Sequence, residues 1–296
     1  MQIAFIGFGE AAQAFAETLG RNEPDLSIMA YDILLEEASD HPGRQGIVEA
    51  ASRLGIGLGA NAPMTAANAD WVFSAVTAGS STAAATSVAG SLRAGSVYFD
   101  INSVAARRKQ DCAQLIAVGG VTYIDMAVMA PVHPRGHLTP VLIAGDLPHA
   151  TEEQLAKLGF RYDLAGSAVG RATSIKMVRS LFVKGQEAIT VQCLLAAKAA
   201  GCLDEVRQSL EASFPELGWP DFATYRFERV ARHGKRRAEE MRESAATMGD
   251  LGYAAGARLA AAVADIQDEV AALGLSGSVL EGPLEEILEE IPVPEA

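Results

Sequence analysis

Ile3-Ala4-Phe5-Ile6-Gly7-Phe8-Gly9-Glu10-Ala11-Ala12 is the stretch from which the fold is read. Ile3 to Ile6 is a short apolar, β-rich run. The residues that follow, Gln13-Ala14-Phe15-Ala16-Glu17-Thr18-Leu19, have helical spacing. A strand, a glycine turn and a helix therefore succeed one another, with a small residue, Ala12, at the third position of a GxGxxA pattern. Gly7 permits the tight turn, Gly9 lets a pyrophosphate approach the backbone, and Ala12 lets helix and strand pack closely. The free N–H groups at the helix start attract phosphate. Gly7, Phe8, Gly9, Glu10, Ala11 and Ala12 are thus the expected cofactor cradle. The run Leu26-Ser27-Ile28-Met29-Ala30-Tyr31 reads as a second strand and ends in Asp32. An acid about 20 residues on, at a strand end, is where a ribose 2′-hydroxyl is held. That carboxylate repels a 2′-phosphate, and no arginine follows at once, so NAD is expected, with NADP left open.

Composition narrows the classes. The chain has 296 residues, of which 49% are hydrophobic, enough for a large core and two domains. A formal net charge of −13 argues against nucleic acid or an anionic membrane as partner, since both need a basic face. Three cysteines, Cys112, Cys193 and Cys202, have neither CxxC spacing nor an even count, so no disulfide framework or metal site is expected. Met1 almost touches the first strand, so no signal peptide is expected. The longest apolar runs contain Gln192 or Arg258 and are too short for a bilayer. A cytoplasmic protein acting on a small molecule fits best.

Further along, the short run 65–69 suggests a helix before the strand Trp71-Val72-Phe73-Ser74-Ala75-Val76. An Ala/Ser/Thr segment up to Ala89 reads as a closely packed helix, and Val97-Tyr98-Phe99 as the next strand. Ser103 is placed to N-cap a helix running to Val118, ahead of Gly119-Gly120. Tyr123-Ile124 leads to Asp125, and Pro140 to Ala144 forms another apolar strand. Thr151-Glu152-Glu153-Gln154 matches a capping box. Strands alternating with helices predict a doubly wound, mainly parallel sheet of Rossmann type. After Gly170 the alternation stops. Residues 174–200 read as one long helix with Ile175, Val178, Phe182, Ile189 and Leu195 on apolar stripes. Helical patterns follow at 204–214, 220–232, 235–248 and 254–273. The Glu-rich tail 281–296, with three prolines, reads as an exposed end. The expected architecture is α/β: a dinucleotide-binding domain over 1–168 and an all-helical domain over 169–296.

Ligands of open α/β sheets sit beyond the carboxyl ends of the strands. Val76 and Thr77 mark where a nicotinamide ribose would pass. Asp100-Ile101-Asn102-Ser103 offers polar groups at a strand end, suited to a substrate carboxylate or to plain helix capping. The irregular segment from Met126 to Thr139 contributes Arg135 as a carboxylate clamp, while His133 and His137 read as solvated loop histidines. Lys176 follows Gly170-Arg171-Ala172-Thr173 at the start of the long helix. A positive helix terminus and partial burial suit an amine that passes a proton, yet a lysine there also reads as a solvated charge. Ser180 follows one turn later.

These motifs, in this order, resemble the β-hydroxyacid dehydrogenase family, which includes 3-hydroxyisobutyrate and 6-phosphogluconate dehydrogenases. The resemblance rests on Gly7-x-Gly9-x-x-Ala12, Asp100-x-x-Ser103, the stretch from Asp125 to Gly136, and Gly170-x-Ala172-x-x-x-Lys176. It implies that Lys176 is the general acid/base, that Ser103 and Asn102 meet the substrate, and that hydride passes between nicotinamide and the β-carbon of a 3-hydroxy acid. It also implies that the helical domain closes the site and forms a homodimer. The chain departs from the family pattern in places. The family's Ser-Gly-Gly falls on Met129-Ala130-Pro131, its asparagine after the lysine on Ser180, and the acid used in decarboxylation on Val183. Its later cofactor-facing lysine falls near Lys235-Arg236-Arg237, with Arg236 the candidate. An imine reductase on the same scaffold and a dinucleotide-binding protein without turnover are the alternatives, and the retained Lys176 weighs against both.

Overall fold

The structure, a computed structural model, describes residues 1–292. The chain folds into two compact units, Met1–Lys176 and Met177–Ala296, so the division falls inside the long helix and not at 168/169.

The first unit is an α/β layer structure. Strand β1 (Gln2–Ile6) leads into α1 (Glu10–Asn22), then β2 (Ser27–Tyr31), α2 (Pro42–Leu54), the two-residue β3 (Gly57–Leu58) and α3 (Ala62–Ala66). Next come β4 (Trp71–Ser74), α4 (Ser81–Val88), β5 (Val97–Asp100), α5 (Ala106–Ile116) and β6 (Thr122–Val128). The unit closes with β7 (Val141–Ala144), α6 (His149–Lys157), β8 (Tyr162–Gly166) and the start of α7 (Arg171–Ala199). The eight strands lie in the order β3-β2-β1-β4-β5-β6-β7-β8, parallel except where β7 runs against β6. The doubly wound sheet expected from the alternation is present. Strands β3 and β8 are not among those expected: β3 is too short to read as an apolar run, and the residues of β8 are partly exposed.

Burial explains the central strands. Ile3 and Phe5 pack on one face of the sheet with Phe73 and Phe99, while Ala4 and Ile6 pack on the other with Val72 and Tyr98. Because both faces are covered, the strands read as continuous apolar runs. Phe5, Phe73 and Phe99 are register partners and form a stack across three strands, with ring centroids 5.3 and 4.9 Å apart. Two expected caps differ. Helix α5 starts at Ala106 with Ala105 in the N-cap position, so Ser103 is not its N-cap residue. Helix α6 starts at His149, two residues ahead of the Thr151 capping box.

The second unit is helical: the rest of α7, then α8 (Leu203–Ser213), α9 (Asp221–Asp250), α10 (Ala254–Ala272), α11 (Gly277–Leu280) and α12 (Leu284–Glu290). The two helices expected at 220–232 and 235–248 are one, because Gly234 does not break α9. It sits against α10, where a Cβ would stand 2.2 Å from the Gln267 carbonyl oxygen, so glycine serves helix–helix contact. Ala188, Val191 and Leu194 turn α7 into the core of this unit; of the expected stripe Leu195 packs there too, whereas Val178, Phe182 and Ile189 are exposed, as is Ile175 in the first unit. The tail is not an exposed end: Leu284, Ile287, Leu288 and Ile291 are buried against Val191, Leu194 and Phe227. Residues 293–296, with the last proline, lie outside the described residues. Among the described residues no helix is long and apolar enough to cross a membrane.

His137 is a correction. It is fully buried, not solvated. Its Nε2–H donates to the Leu158 carbonyl at 2.9 Å, which leaves Nδ1 to accept from the Thr18 hydroxyl at 2.7 Å. The ring thereby ties the segment after β6 to α1. Burial pushes its pKa below the ordinary histidine value. The unfolded chain therefore takes up the proton first, so the stability His137 contributes is whole above about pH 6.5 and is lost as pH falls below it. In denaturant titrations between about pH 7 and 5, His137→Gln should lack this part of the acid-dependent loss; the same slope in both proteins would rule His137 out as its source.

Candidate active site

The glycine turn is built as its residue types require. Gly7 has φ +86° and donates its N–H to the Tyr31 carbonyl at 2.8 Å. A Cβ there would lie 2.4 Å from the Ala75 carbonyl oxygen, so only glycine lets β1 and the exit of β4 come this close. Phe8 and Ala12 are fully buried and anchor the turn to the core. Gly9 caps α1 with no side-chain hydrogen bond, and a side chain built on it would meet nothing within 4 Å. Glu10 is exposed and Ala11 half-buried beside it. An uncapped helix start under open space fits the pyrophosphate of a dinucleotide.

Asp32 extends this cradle. Its Oδ2 accepts the Phe8 N–H at 2.8 Å and its Oδ1 the Leu34 N–H at 3.0 Å. The carboxylate is thus fixed beside the glycine turn, with lone pairs left for a ribose diol. Neighbouring Tyr31 has its pKa pushed up to about 12, first by burial and then by its hydrogen bond to Glu36, so its hydroxyl stays protonated.

The ends of β4 and β5 are joined by one side chain. Asn102, 4% exposed, accepts the Val76 N–H at 2.7 Å through Oδ1 and donates through Nδ2 to the Ser74 hydroxyl at 2.9 Å. Its amide is engaged within the protein and orients the loop that carries Thr77, whose hydroxyl meets Ser80 at 3.1 Å. Ser103, next in sequence, is half-buried and accepts a hydrogen bond from Lys176 Nζ at 2.5 Å. This contact joins the two residues that the sequence singled out for the chemistry.

Both sides of that contact are held from beneath. Asp100 and Asp125 are register partners on the adjacent strands β5 and β6, and both are buried. Between them stands Lys109 of α5, 0% exposed. Its Nζ donates to Asp100 Oδ1 at 2.9 Å and to the Asp100 carbonyl at 2.5 Å, and lies 3.5 Å from Asp125 Oδ1. Asp100 also accepts the Asn102 N–H at 2.9 Å and the Tyr123 hydroxyl at 2.6 Å. Asp125 Oδ2 accepts the N–H groups of Gly170 and Thr173, each at 3.1 Å, and so caps α7 one turn before Lys176. The Thr173 hydroxyl adds a bond to the Val104 carbonyl at 2.5 Å. Tyr98 and Tyr123 are pushed well above the ordinary tyrosine value by burial and by Asp100, so neither adds a charge. Removing one partner from a buried ion pair costs about 3–5 kcal/mol, which makes Lys109 a structural keystone. In sequence Lys109 is flanked by Arg107 and Arg108, which are not buried. The overlooked signal was its spacing from Cys112 and Ile116, which places it on the buried face of α5.

The other candidates are dispersed. Met129 is half-buried and packs against Ala127, Ala144 and Ala172, beside the start of α7. Arg135 is exposed at the short turn before His137. In the second unit Ser180 is buried and accepts from Lys184 at 3.2 Å, and Lys184 pairs with Glu240 at 2.7 Å. Arg236 is exposed on α9, whereas its neighbour Arg237 is buried against Glu187. Among the described residues no group of His, Cys, Asp or Glu could hold a metal ion.

Residues 2–103 match a family model described as NADP oxidoreductase, coenzyme F420-dependent, and residues 197–270 match one described as a domain of unknown function. A conserved hypothetical protein from Sinorhizobium meliloti is 33% identical, over 98% of this chain and 97% of its own, with a TM-score of 0.73. A conserved protein of unknown function, reported to resemble 3-hydroxyacid dehydrogenases, is 25% identical over 93% of this chain and 100% of its own, with a TM-score of 0.67. The chain belongs to a divergent branch of the β-hydroxyacid dehydrogenase-like family. A 3-hydroxyisobutyrate dehydrogenase from Mycobacterium tuberculosis, solved with L-serine, shares the fold of this β-hydroxyacid dehydrogenase-like protein at 16% identity. That match covers 92% of this chain and 94% of the other, with a TM-score of 0.69. The family is one of NAD(P)-dependent oxidoreductases.

Proposed function

We propose that this protein is a dehydrogenase that moves a hydride between a nicotinamide cofactor and the β-carbon of a small 3-hydroxy acid or related β-hydroxy compound. The observation that carries the reading is the 2.5 Å hydrogen bond from Lys176 Nζ to Ser103 Oγ, beyond the carboxyl end of β5. A serine hydroxyl that accepts from the amine marks a place where a substrate hydroxyl can be held by both. Lys176 takes the hydroxyl proton during oxidation and returns it during reduction. Ser103 keeps the amine directed at that oxygen and shares the substrate's hydrogen bonds. A bound nicotinamide would supply the hydride acceptor or donor. The Gly7–Ala12 turn holds the pyrophosphate and Asp32 the adenosine ribose. Met129 and Arg135 are offered as substrate contacts, the first for an apolar substituent and the second for a carboxylate.

This reading is separated from reduction of imines and from cofactor binding without turnover by a substrate panel. 3-Hydroxyisobutyrate, L-serine and related 3-hydroxy acids, each with NAD and NADP, should give reduced nicotinamide by absorbance. With any active member, Lys176→Ala should lower turnover by about 10²–10⁴ with cofactor binding nearly unchanged. Equal turnover in parent and variant would remove Lys176 from the chemistry.

NAD is the proposed cofactor, on the strength of the fixed Asp32 carboxylate. Asp32→Ala should narrow the ratio of NAD to NADP affinity by about tenfold, the change expected from losing a charged hydrogen bond. An unchanged ratio in titrations of the two cofactors would take Asp32 out of cofactor choice.

A homodimer is proposed from α7, where Val178, Phe182 and Ile189 are exposed along one helix, the last two at 69% and 64%. Large apolar groups at such spacing favour a second copy over water. Sedimentation should give a dimer for the parent and a monomer for Phe182→Glu; a monomeric parent would end this proposal. The three unpaired cysteines suit a reducing compartment such as the cytoplasm.

A further inference from the structure

We infer that Lys109 is a positioning residue for the Lys176–Ser103 pair, acting through the two buried carboxylates on either side of it. The inference rests on the reading of Lys176 as acid/base, and its geometry lies within the first unit. Asp100 and Asp125 occupy the same register position on neighbouring parallel strands, so their side chains leave the sheet on one face. Two buried carboxylates placed in this way repel, and neither is stable there without a cation. Lys109 provides it, at 2.9 Å from Asp100 and 3.5 Å from Asp125.

The two carboxylates lead to opposite sides of the pair. Asp100 fixes the segment that carries Ser103, since its Oδ1 takes the Asn102 N–H while Lys109 takes its carbonyl. Asp125 fixes the first turn of α7, since its Oδ2 takes the N–H groups of Gly170 and Thr173 three residues before Lys176. One ammonium therefore sets the distance between hydroxyl and amine without touching either. Its complete burial keeps it away from substrate and cofactor alike.

The first test needs no substrate. Acetic anhydride is applied in trace amounts, and acylation of each lysine is read by mass spectrometry, with exposed Lys235 as internal reference. In Lys109→Met, released from Ser103, Lys176 should react faster relative to Lys235 by about fivefold, the factor that one net hydrogen bond brings. An unchanged ratio in folded protein overturns the proposal. Should Lys109→Met fail to fold, Asp125→Asn decides. It keeps an oxygen for the helix N–H groups but removes the charge facing Lys109, so Lys176 should again react faster, and no change overturns the proposal.

The second test separates positioning from general support of the fold. With a substrate that the parent turns over, Lys109→Met should lower kcat by about 10–100-fold and leave the KM of the cofactor unchanged. In a Lys176→Ala background the same substitution should cost nothing further. Equal factors in both backgrounds overturn the proposal. If Lys176→Ala is itself silent, the acid/base reading fails, while the labelling result still decides whether Lys109 holds the pair.

Discussion

Two carboxylates side by side in the interior of a sheet are the constraint on which this site depends. Asp100 and Asp125 are neighbours in register on β5 and β6, and neither reaches solvent. Such a pair persists only if its charge is met from within. Lys109 meets it from α5, the Tyr123 hydroxyl meets it from β6, and the N–H groups at the start of α7 meet it from above. Each compensating group comes from a different element, so the charge requirement becomes a positional one: the strand ends, α5 and the first turn of α7 have to assemble together. The contact between Lys176 and Ser103 is a consequence of that assembly.

The cofactor cradle rests on a separate device. Gly7 lets β1 turn against β4, and Asp32 joins the following N–H to the end of β2. Asn102 then ties the end of β4 to the segment after β5 through a single buried amide. None of these links involves the residues in which the chain departs from its relatives. By the resemblance, the departures fall at Met129-Ala130-Pro131, Ser180, Val183 and the Lys235–Arg237 run. This pattern suits a family member with its own substrate.

Much of the fold was legible because local signals agreed. The apolar strands, the glycine turn and the strand-end acids Asp32 and Asp100 follow from spacing and residue type alone. What stayed hidden depends on contacts distant in sequence. Ser103 reads equally as a helix cap or a binding group because both call for the same hydroxyl, and its contact with Lys176, 73 residues away, is invisible to local spacing. His137 looked solvated because its partners, Thr18 and the Leu158 carbonyl, belong to elements far along the chain. Gly234 looked like a break because glycine serves close helix packing as well as helix ends. Lys109 was obscured by its charged neighbours, although its helical phase pointed inward. The apolar stripe of α7 was visible, but periodicity cannot say whether such a stripe meets its own core or another surface.

The most direct measurement is a crystal structure of the protein with NAD and an unreactive 3-hydroxy acid analogue. The account predicts that Lys176 Nζ and Ser103 Oγ both lie within hydrogen-bonding distance of the analogue's hydroxyl, with the nicotinamide ring facing the carbon that bears it. An ammonium group turned to bulk solvent, with the analogue seated elsewhere, would contradict it and leave only a protein that holds a dinucleotide.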